Sequence, residues 1–292
     1  MSIEILGVRV DPLTHNEVFG VIDNFLESNV PHYIVTVNPE FIIAAQKDIE
    51  FRGILNRADL ALADGIGLVW AASLLAEPFS LAATKSARTR WWWCVRKAML
   101  KALLLFTFPR WVHGVIPERV SGSDLVPELV KRSQVYHLRV ALVGGGNGVA
   151  ARAANVLVSR FPKAQIVLTD QGLECTVDSE SRLRYDTDAQ RQLLLRIADA
   201  RPDIVFVGFG QRKQEKWIAE SFRHLPHVKL FMGVGGTFDM LAGSTARAPK
   251  FFQTHSIEWV WRWMLQPWRV GRIFTATMRF MIRVGKEKYG TH

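Results

Sequence analysis

The sequence predicts an α/β fold built on a Rossmann-like, mostly parallel sheet with helices on both faces. Short β-branched runs alternate with amphipathic helical patterns through the first two-thirds of the chain, which is typical of a parallel sheet covered on both faces. Gly, Asn or Asp follows five of the predicted strands, where open α/β sheets bind ligands. The 292 residues are 49% hydrophobic and 22% charged, which favours a sizeable core and argues against global disorder.

The predicted elements follow one another along the chain in an alternating order. The strands are the short, mainly apolar runs His32–Val37, Leu60–Ala63, Leu138–Val143, Gln165–Thr169, Ile204–Gly208 and Lys229–Val234. The helices have apolar residues at helical spacing, and they are Asn16–Glu27, Glu40–Arg57, Val149–Arg160, Asp188–Ala200 and Lys213–Phe222. We therefore predict an α/β body over residues 1–249, which includes a basic, Trp-rich insert at 76–117, and a helical basic C-terminal appendage over 250–292.

The net charge of +10 is concentrated in two segments. Residues 85–119 hold eight Lys or Arg and one acid, and residues 245–292 hold nine and two, so each segment carries +7. The same segments contain eight of the ten tryptophans. Lys and Arg interleaved with Trp are typical of a phospholipid interface. We favour a membrane surface with anionic lipid over nucleic acid; ordinary surface with a few buried aromatics is the remaining alternative.

The insert and the appendage both contain candidate membrane or phosphate contacts. Trp91, Trp92 and Arg96 fit an amphipathic helix or hairpin with a basic rim, although the same aromatics would also pack on a partner subunit. In the appendage, the spacing of Arg262, Arg269 and Arg272 places them within one helix face. Three guanidinium groups on one stripe suit a diphosphate or lipid headgroups, and a solvated charged face is the alternative.

Neither a secretory signal nor a membrane-spanning run is recognisable in the sequence. Two cysteines in a chain of this length indicate neither a disulfide framework nor a zinc site. The eight histidines do not pair with acids or cysteines at metal-ligand spacing. We expect a cytoplasmic protein that contacts a membrane from one side, peripherally or as a monotopic protein, and that binds no metal.

Two glycine-rich loops are candidate ligand contacts. Gly144 and Gly145 begin the run Gly144–Gly148, which precedes a helix and could cradle a diphosphate with backbone N–H groups. Tight turns are the alternative reason for glycine here. The run lacks the Walker A pattern and the full G-x-G-x-x-G spacing of dinucleotide sites. A second pair, Gly235 and Gly236, follows the last predicted strand.

Polar side chains at other strand ends are candidates for catalysis and sugar binding. Asp64 directly follows a strand, where a carboxylate could act as a general base. A helix N-cap or a turn is the alternative role for this residue, and Asp239 has the same ambiguity. Thr36 and Asn38 could donate hydrogen bonds to sugar hydroxyls, or could satisfy the loop before Pro39.

In this order, the strand-end motifs resemble the WecG/TagA/CpsF family of bacterial glycosyltransferases. The resemblance covers nearly the whole chain except about residues 76–117. The matching stretches are Thr36–Glu40, Ala58–Leu60, Ala63–Trp70, Glu118–Asp124, Leu142–Gly145, Pro202–Gly210, Lys213–Ile218, Gly233–Asp239, Arg247–Pro249 and Glu258–Trp259.

The resemblance implies an inverting transfer of a hexose, of N-acetylmannosamine type or related, from a UDP-sugar. The implied acceptor is a sugar linked to polyprenyl diphosphate at the cytoplasmic membrane face, in the synthesis of a cell-surface polysaccharide. No cofactor is implied, because the UDP-sugar is a substrate and the family needs no metal. A homo-oligomer is left open.

The resemblance also implies roles for individual residues. Asp64 matches the family's proposed catalytic base and Arg119 an active-site arginine. The remaining matches are Thr36 and Asn38 in the sugar pocket, Gln214 and Asp239 in the donor pocket, and Arg262, Arg269 and Arg272 at the diphosphate. The chain departs from the family pattern at Gln211, Arg212 and Gln266, which leaves the identity of donor and acceptor open.

Two functions of other classes compete with this reading. A non-catalytic, membrane-associated adaptor that binds a nucleotide sugar predicts loss of Asp64 or of the appendage arginines, and all of them are present. A dinucleotide-dependent oxidoreductase is disfavoured by the missing G-x-G-x-x-G pattern.

Overall fold

The computed structural model describes residues 2–76, 114–245, 249, 261 and 270–289. In these residues a six-stranded parallel sheet runs in the order β4-β3-β10-β9-β5-β6, beside two short antiparallel hairpins, β1-β2 and β7-β8. The strands are β1 (Ile3–Ile5), β2 (Val8–Val10), β3 (His32–Val37), β4 (Leu60–Ala63), β5 (Arg139–Gly144), β6 (Gln165–Asp170), β7 (Cys175–Val177), β8 (Leu183–Tyr185), β9 (Ile204–Gly208) and β10 (Leu230–Gly233).

Helices cover both faces of this sheet, so the predicted Rossmann-like fold class is confirmed. The helices are α1 (His15–Glu27), α2 (Pro39–Ala45), α3 (Ile49–Arg57), α4 (Ile66–Ala76), α5 (Gly122–Ser133), α6 (Val149–Arg160), α7 (Thr187–Ala200), α8 (Lys213–Ser221), α9 (Thr237–Leu241) and α10 (Val270–Tyr289). The core on one face takes buried side chains from α2, α3, α4, α7, α8 and α10. The core on the other face takes them from α1, α5, α6 and α9.

Two local features differ from the sequence-based prediction. The stretch Glu40–Arg57, predicted as one helix, is divided into α2 and α3. Asp48 has extended backbone angles there, and its carboxylate accepts a hydrogen bond from the N–H of Phe51 at 2.9 Å, which begins α3. Helix α4 was not predicted because most of its residues are buried and apolar, so it lacks the polar stripe that reveals a surface helix.

The connections of the sheet diverge between β5 and β9. Strand β5 leads through α6 to its neighbour β6. Strand β9 leads through α8 to β10, which lies on the side of β9 away from β5. The two helices lie on opposite faces of the sheet. Adjacent strands whose connections leave in opposite directions form a topological switch point, where a crevice opens at the carboxyl ends of the strands.

Helix α10 returns the C-terminal segment to the α/β body. Phe280 is fully buried and its ring lies 6.4 Å from that of Trp70, centroid to centroid. Lys288 Nζ donates a hydrogen bond to the carbonyl of Leu75 at 2.7 Å. Among the described residues, no helix is both long and apolar enough to cross a bilayer. The domain boundary at residue 249 and a membrane-binding role for the appendage stay predictions.

Candidate active site

The carboxyl edge of the sheet brings the predicted polar and glycine residues into one row. Sheet order gives their sequence along this edge, which is Asp64 after β4, Thr36 and Asn38 at β3, Gly235 and Gly236 after β10, Gly208 at β9, and Gly144 and Gly145 at β5. Four strand spacings separate the ends of this row, about 19 Å at the usual distance between strands. A ligand that contacts both ends must therefore be elongated.

Asp64 and Arg119 are brought together despite the insert between them. The N–H of Val120 donates to the carbonyl of Ala63 at 3.0 Å, which ties the chain after the insert to the end of β4. The Glu118 carboxylate accepts the N–H of His15 at 2.6 Å and holds the same segment against the start of α1. The backbones of Asp64 and Arg119 therefore lie side by side, so the insert does not separate the two residues in space.

Thr36 and Asn38 lie at the end of β3, next to Asp64. Thr36 is buried, and a methyl group added to Gly122 would lie 3.7 Å from its hydroxyl oxygen, so α5 begins beside it. Asn38 Oδ1 accepts the N–H of Phe41 at 3.0 Å and caps α2. This oxygen serves the local backbone, which leaves the amide N–H groups of Asn38 as its donors for a sugar hydroxyl.

The glycines of β5 and β9 allow two backbones to touch. The N–H of Gly145 donates to the carbonyl of Gly208 at 3.1 Å. A Cβ added to Gly144 would lie 2.7 Å from that carbonyl, and Gly144 itself has φ +121°. The Gly145 N–H is therefore used within the fold, and a diphosphate cradle in this loop would have to use the N–H groups of residues 146–148.

We expect Gly144→Ala to lower the free energy of unfolding by about 1–3 kcal/mol more than Gly146→Ala. Both glycines have positive φ, but a Cβ on Gly146 would meet no atom within 4 Å. Because φ +64° at Gly146 lies in the left-handed region that other residues adopt, the control lacks both the clash against Gly208 and the larger backbone strain of φ +121°. Urea denaturation of both variants measures the difference, and equal losses would contradict close packing of the two strand ends.

Gln214 lies behind the row, in the core. Its Nε2 donates to Glu215 Oε1 at 2.6 Å, and its Oε1 accepts the N–H of Gly235 at 2.9 Å. The side chain is 3% exposed. The residue predicted for the donor pocket thus contacts the loop after β10 from inside the protein. Asp239 lies further along this loop, in α9, with Oδ2 near Gly236.

The sequence did not point to Glu215, whose carboxyl group is almost fully buried beside Gln214. Burial raises the pKa of Glu215 to about 7, against the opposing effect of the Gln214 amide and of nearby backbone N–H groups. Burial also raises the pKa of Tyr33 well above its usual value, and the charge of Glu215 adds to that rise. The available signal was an acid on the apolar face of an amphipathic helix.

The raised pKa of Glu215 predicts a stability that falls with pH. The folded protein keeps the proton up to about pH 7, whereas the unfolded chain releases it near 4.5. The contribution of Glu215 to the free energy of unfolding is therefore fully present below pH 4.5 and is lost as the pH rises towards 7. The loss is on the order of 3 kcal/mol. We expect this slope to vanish in Glu215→Gln and to persist in the exposed control Glu220→Gln, in urea denaturation between pH 4.5 and 8. A slope that survives Glu215→Gln would refute the assignment.

Several predicted contacts lie outside the described residues. Trp91, Trp92, Arg96, Arg262 and Arg269 belong to this group. Arg272 lies in the first turn of α10, and the structure describes its backbone alone. Their roles at a membrane or a diphosphate stay predictions.

A basic groove on α10 was not foreseen from the sequence. It lies between α2 and α10 and has a volume of about 340 Å³. Its lining combines two isoleucines with four cations, namely Ile43, Lys47, Arg279, Ile282, Arg283 and Lys286. Ile282 is 54% exposed.

A cavity of about 480 Å³ lies at the far end of the row, between the start of α6 and Asp170 at the end of β6.

In residues 2–76, 114–245 and 270–289, no group of three or more His, Cys, Asp or Glu is placed to hold an ion. The expectation that no metal is bound stays a prediction.

Comparison with known proteins identifies what the chain is similar to. Residues 3–89 and 102–292 match the model of the Glycosyl transferase WecG/TagA/CpsF family. The unmatched stretch, 90–101, contains Trp91, Trp92 and Arg96. Two relatives, from Staphylococcus aureus strains MRSA252 and NCTC 8325, are each named N-acetylglucosaminyldiphosphoundecaprenol N-acetyl-beta-D-mannosaminyltransferase. Each is 27% identical over 289 residues, which cover 98% of this chain and 93% of the relative.

Proposed function

The chain belongs to the WecG/TagA/CpsF family of glycosyltransferases, and from that premise we propose that it transfers a hexose from a UDP-sugar to a sugar linked to polyprenyl diphosphate. The names of the relatives support an N-acetylmannosamine-type donor sugar and an acceptor that carries N-acetylglucosamine on diphosphoundecaprenol. Products of this kind enter cell-surface polysaccharides.

The row of strand ends is the observation that carries this proposal. Asp64 lies at one end and the glycine loops of β5 and β9 lie at the other, which suits an elongated nucleotide sugar. In the proposed pose the nucleotide diphosphate lies over the glycine loops at the switch point. The hexose lies towards Thr36, Asn38 and Asp64, where the acceptor hydroxyl enters.

The proposed reaction is a single displacement with inversion. Asp64 takes the proton of the acceptor hydroxyl as its oxygen forms a bond to the anomeric carbon. The bond from that carbon to the UDP oxygen breaks in the same step, and its electron pair leaves with UDP. Arg119, the appendage arginines and backbone N–H groups offset the charge that develops on the diphosphate. No resident metal forms part of this proposal.

The deciding experiment measures UDP release from a panel of UDP-hexoses and UDP-N-acetylhexosamines. A short-chain polyprenyl diphosphate carrying N-acetylglucosamine serves as the acceptor. Release that depends on the acceptor, together with a glycosylated lipid product in mass spectrometry, would support the proposal. UDP binding without turnover of any donor would instead support a non-catalytic adaptor.

We further propose that the protein acts as a peripheral protein at the cytoplasmic face of the membrane, where its lipid-linked acceptor would be found. The groove between α2 and α10 supports contact with a membrane, because four cations surround two isoleucines. Cations beside exposed apolar side chains suit the headgroup region of an anionic bilayer.

We expect the double change Arg279→Glu and Arg283→Glu to weaken binding to phosphatidylglycerol vesicles by at least about tenfold, since each basic residue contributes about 1 kcal/mol near such a surface. Co-sedimentation at low and high salt measures this. The matched control is Arg160→Glu with Lys163→Glu, two exposed cations at the end of α6, on the opposite face of the sheet. Equal binding by both double variants would contradict a role for the groove.

A further inference from the structure

Glu215 has an arrangement that the proposed reaction does not explain. The side chain is 1% exposed, so its carboxylate cannot touch a substrate. Its Oε1 accepts a hydrogen bond from Gln214 Nε2 at 2.6 Å, and among the described residues Oε2 has no hydrogen-bond partner. A buried carboxyl group with an unpaired oxygen is costly. Its presence therefore indicates a role besides packing.

The Glu215 carboxyl group determines which way the Gln214 amide points. An amide has an acceptor oxygen at one end and a donor nitrogen at the other, and the two orientations have similar shapes. Here Oε1 accepts the N–H of Gly235 at 2.9 Å, while Nε2 faces the carboxylate. In the reversed orientation, the amide nitrogen would face the Gly235 N–H, which is another donor. The amide oxygen would face Glu215 Oε1, which acts as an acceptor here, so that any proton of the carboxyl group resides on Oε2. Glu215 thus selects the orientation that holds Gly235.

The two side chains are fitted closely against the end of β10. A Cβ added to Gly233 would lie 2.6 Å from Gln214 Nε2 and 2.8 Å from Glu215 Oε1. Both polar groups therefore rest on the backbone of the last residue of the strand. This contact links α8 to the point where the chain leaves the sheet and enters the site.

The loop that this contact supports lies in the middle of the row. Gly235 has φ +52°, and a Cβ there would meet no atom within 4 Å. The surrounding side chains therefore do not restrain Gly235 sterically, whereas its N–H is hydrogen-bonded to Gln214. The loop continues through Gly236 into α9, which carries Asp239.

We infer that Glu215 is a positioning residue, which orients the Gln214 amide so that the amide oxygen holds the Gly235–Gly236 loop in the conformation that binds the UDP-sugar. The identity of the ligand in this inference rests on the proposed function. The chain of contacts from Glu215 through Gln214 to Gly235, which we call the relay, does not depend on that function. Replacement by leucine separates positioning from stability. The replacement removes a costly buried carboxyl group. If Glu215 had only a structural role, Glu215→Leu would therefore leave the loop conformation and the donor KM unchanged.

The test compares Glu215→Leu, Glu215→Gln and the control Glu220→Leu, which changes an exposed acid on the same helix. Hydrogen exchange at the Gly235 amide, measured by NMR, tests the relay in the absence of substrate. We expect about tenfold faster exchange in Glu215→Leu, as for the loss of one hydrogen bond. Exchange in Glu215→Gln, which keeps an acceptor oxygen, should stay within about threefold of the unchanged protein, as should exchange in the control.

Kinetics then test the link to the donor. We expect the donor KM to rise about tenfold in Glu215→Leu with a smaller change in kcat, and to recover in Glu215→Gln. Unchanged exchange and KM in a folded Glu215→Leu protein would overturn the inference, as would an unprotected Gly235 amide in the unchanged protein. This last measurement needs no variant to fold. If the unchanged protein turns over no donor, the proposed function fails, while exchange still decides the relay.

Discussion

Asp64→Asn is expected to lower kcat by about 10²- to 10⁴-fold, the usual contribution of a general base. The affinity for UDP should remain, because the glycine loops that would hold the nucleotide lie at the other end of the row. The backbone should also be preserved, since the N–H of residue 64 donates to the carbonyl of Val37 and Asn keeps this bond. Steady-state kinetics at saturating acceptor, with UDP binding by calorimetry, measure both effects.

A matched control is Asp188→Asn, an exposed acid in the first turn of α7. It should leave kcat and UDP binding unchanged. An Asp64→Asn protein with full turnover would show that another group takes the proton, and Asp239 would be the next candidate because it lies in α9, directly after the Gly235–Gly236 loop of the row. Loss of UDP binding together with turnover would instead indicate a role in holding the donor.

Asp48→Ala is expected to lower the free energy of unfolding by about 3–5 kcal/mol, the usual result of removing one partner of a buried ion pair. Lys216 is 1% exposed, and its Nζ lies 3.3 Å from Asp48 Oδ2. Its other acidic partner is Glu50, which is 58% exposed. Asp48 also accepts a hydrogen bond from Arg212 Nη2 at 2.9 Å. Removal of the Asp48 carboxylate would leave the buried ammonium group of Lys216 with the solvent-exposed Glu50 as its acidic partner.

The effect of Asp48→Ala should depend on pH. Burial alone would raise the pKa of Asp48, but hydrogen bonds from Phe51 and Arg212 and the charge of Lys216 outweigh it and lower the pKa. A carboxyl group with a lowered pKa stabilises the fold fully above its unfolded value of 3.8, and this contribution is lost as pH falls through the folded value. The difference in free energy of unfolding between Asp48→Ala and the unchanged protein should therefore narrow in strong acid.

The control for this prediction is Arg184→Ala, which removes a surface ion pair. Arg184 Nε lies 2.8 Å from Asp178 Oδ2, and its side chain is 55% exposed. Exposed pairs of this kind contribute at most about 1 kcal/mol. Urea denaturation at pH 7 compares the two variants. If Asp48→Ala cost no more than the control, the cluster around Lys216 would have no special role in stability.

The sequence predicts the sheet and the row because both depend on local patterns. The central strands are short, mainly apolar runs, and each strand end follows directly from the end of its run. Glu215 and the Lys216 cluster depend instead on which helices meet in space. The ion pair joins Lys216 to Asp48, which is 168 residues away, and no local pattern encodes that contact. The groove on α10 was missed for the same reason.

The hydrogen bond between Val120 and Ala63 has a further consequence, which concerns chain length. It closes a loop that contains the stretch that the family model leaves unmatched, residues 90–101. The entropy of closing a loop changes slowly with its length, so that halving or doubling it alters the free energy by only about 0.6 kcal/mol. Segments of very different size can therefore be exchanged between these anchors without displacing Arg119 from Asp64. The length of this segment is therefore free to vary between members of the family while the proposed base and the proposed arginine keep their places.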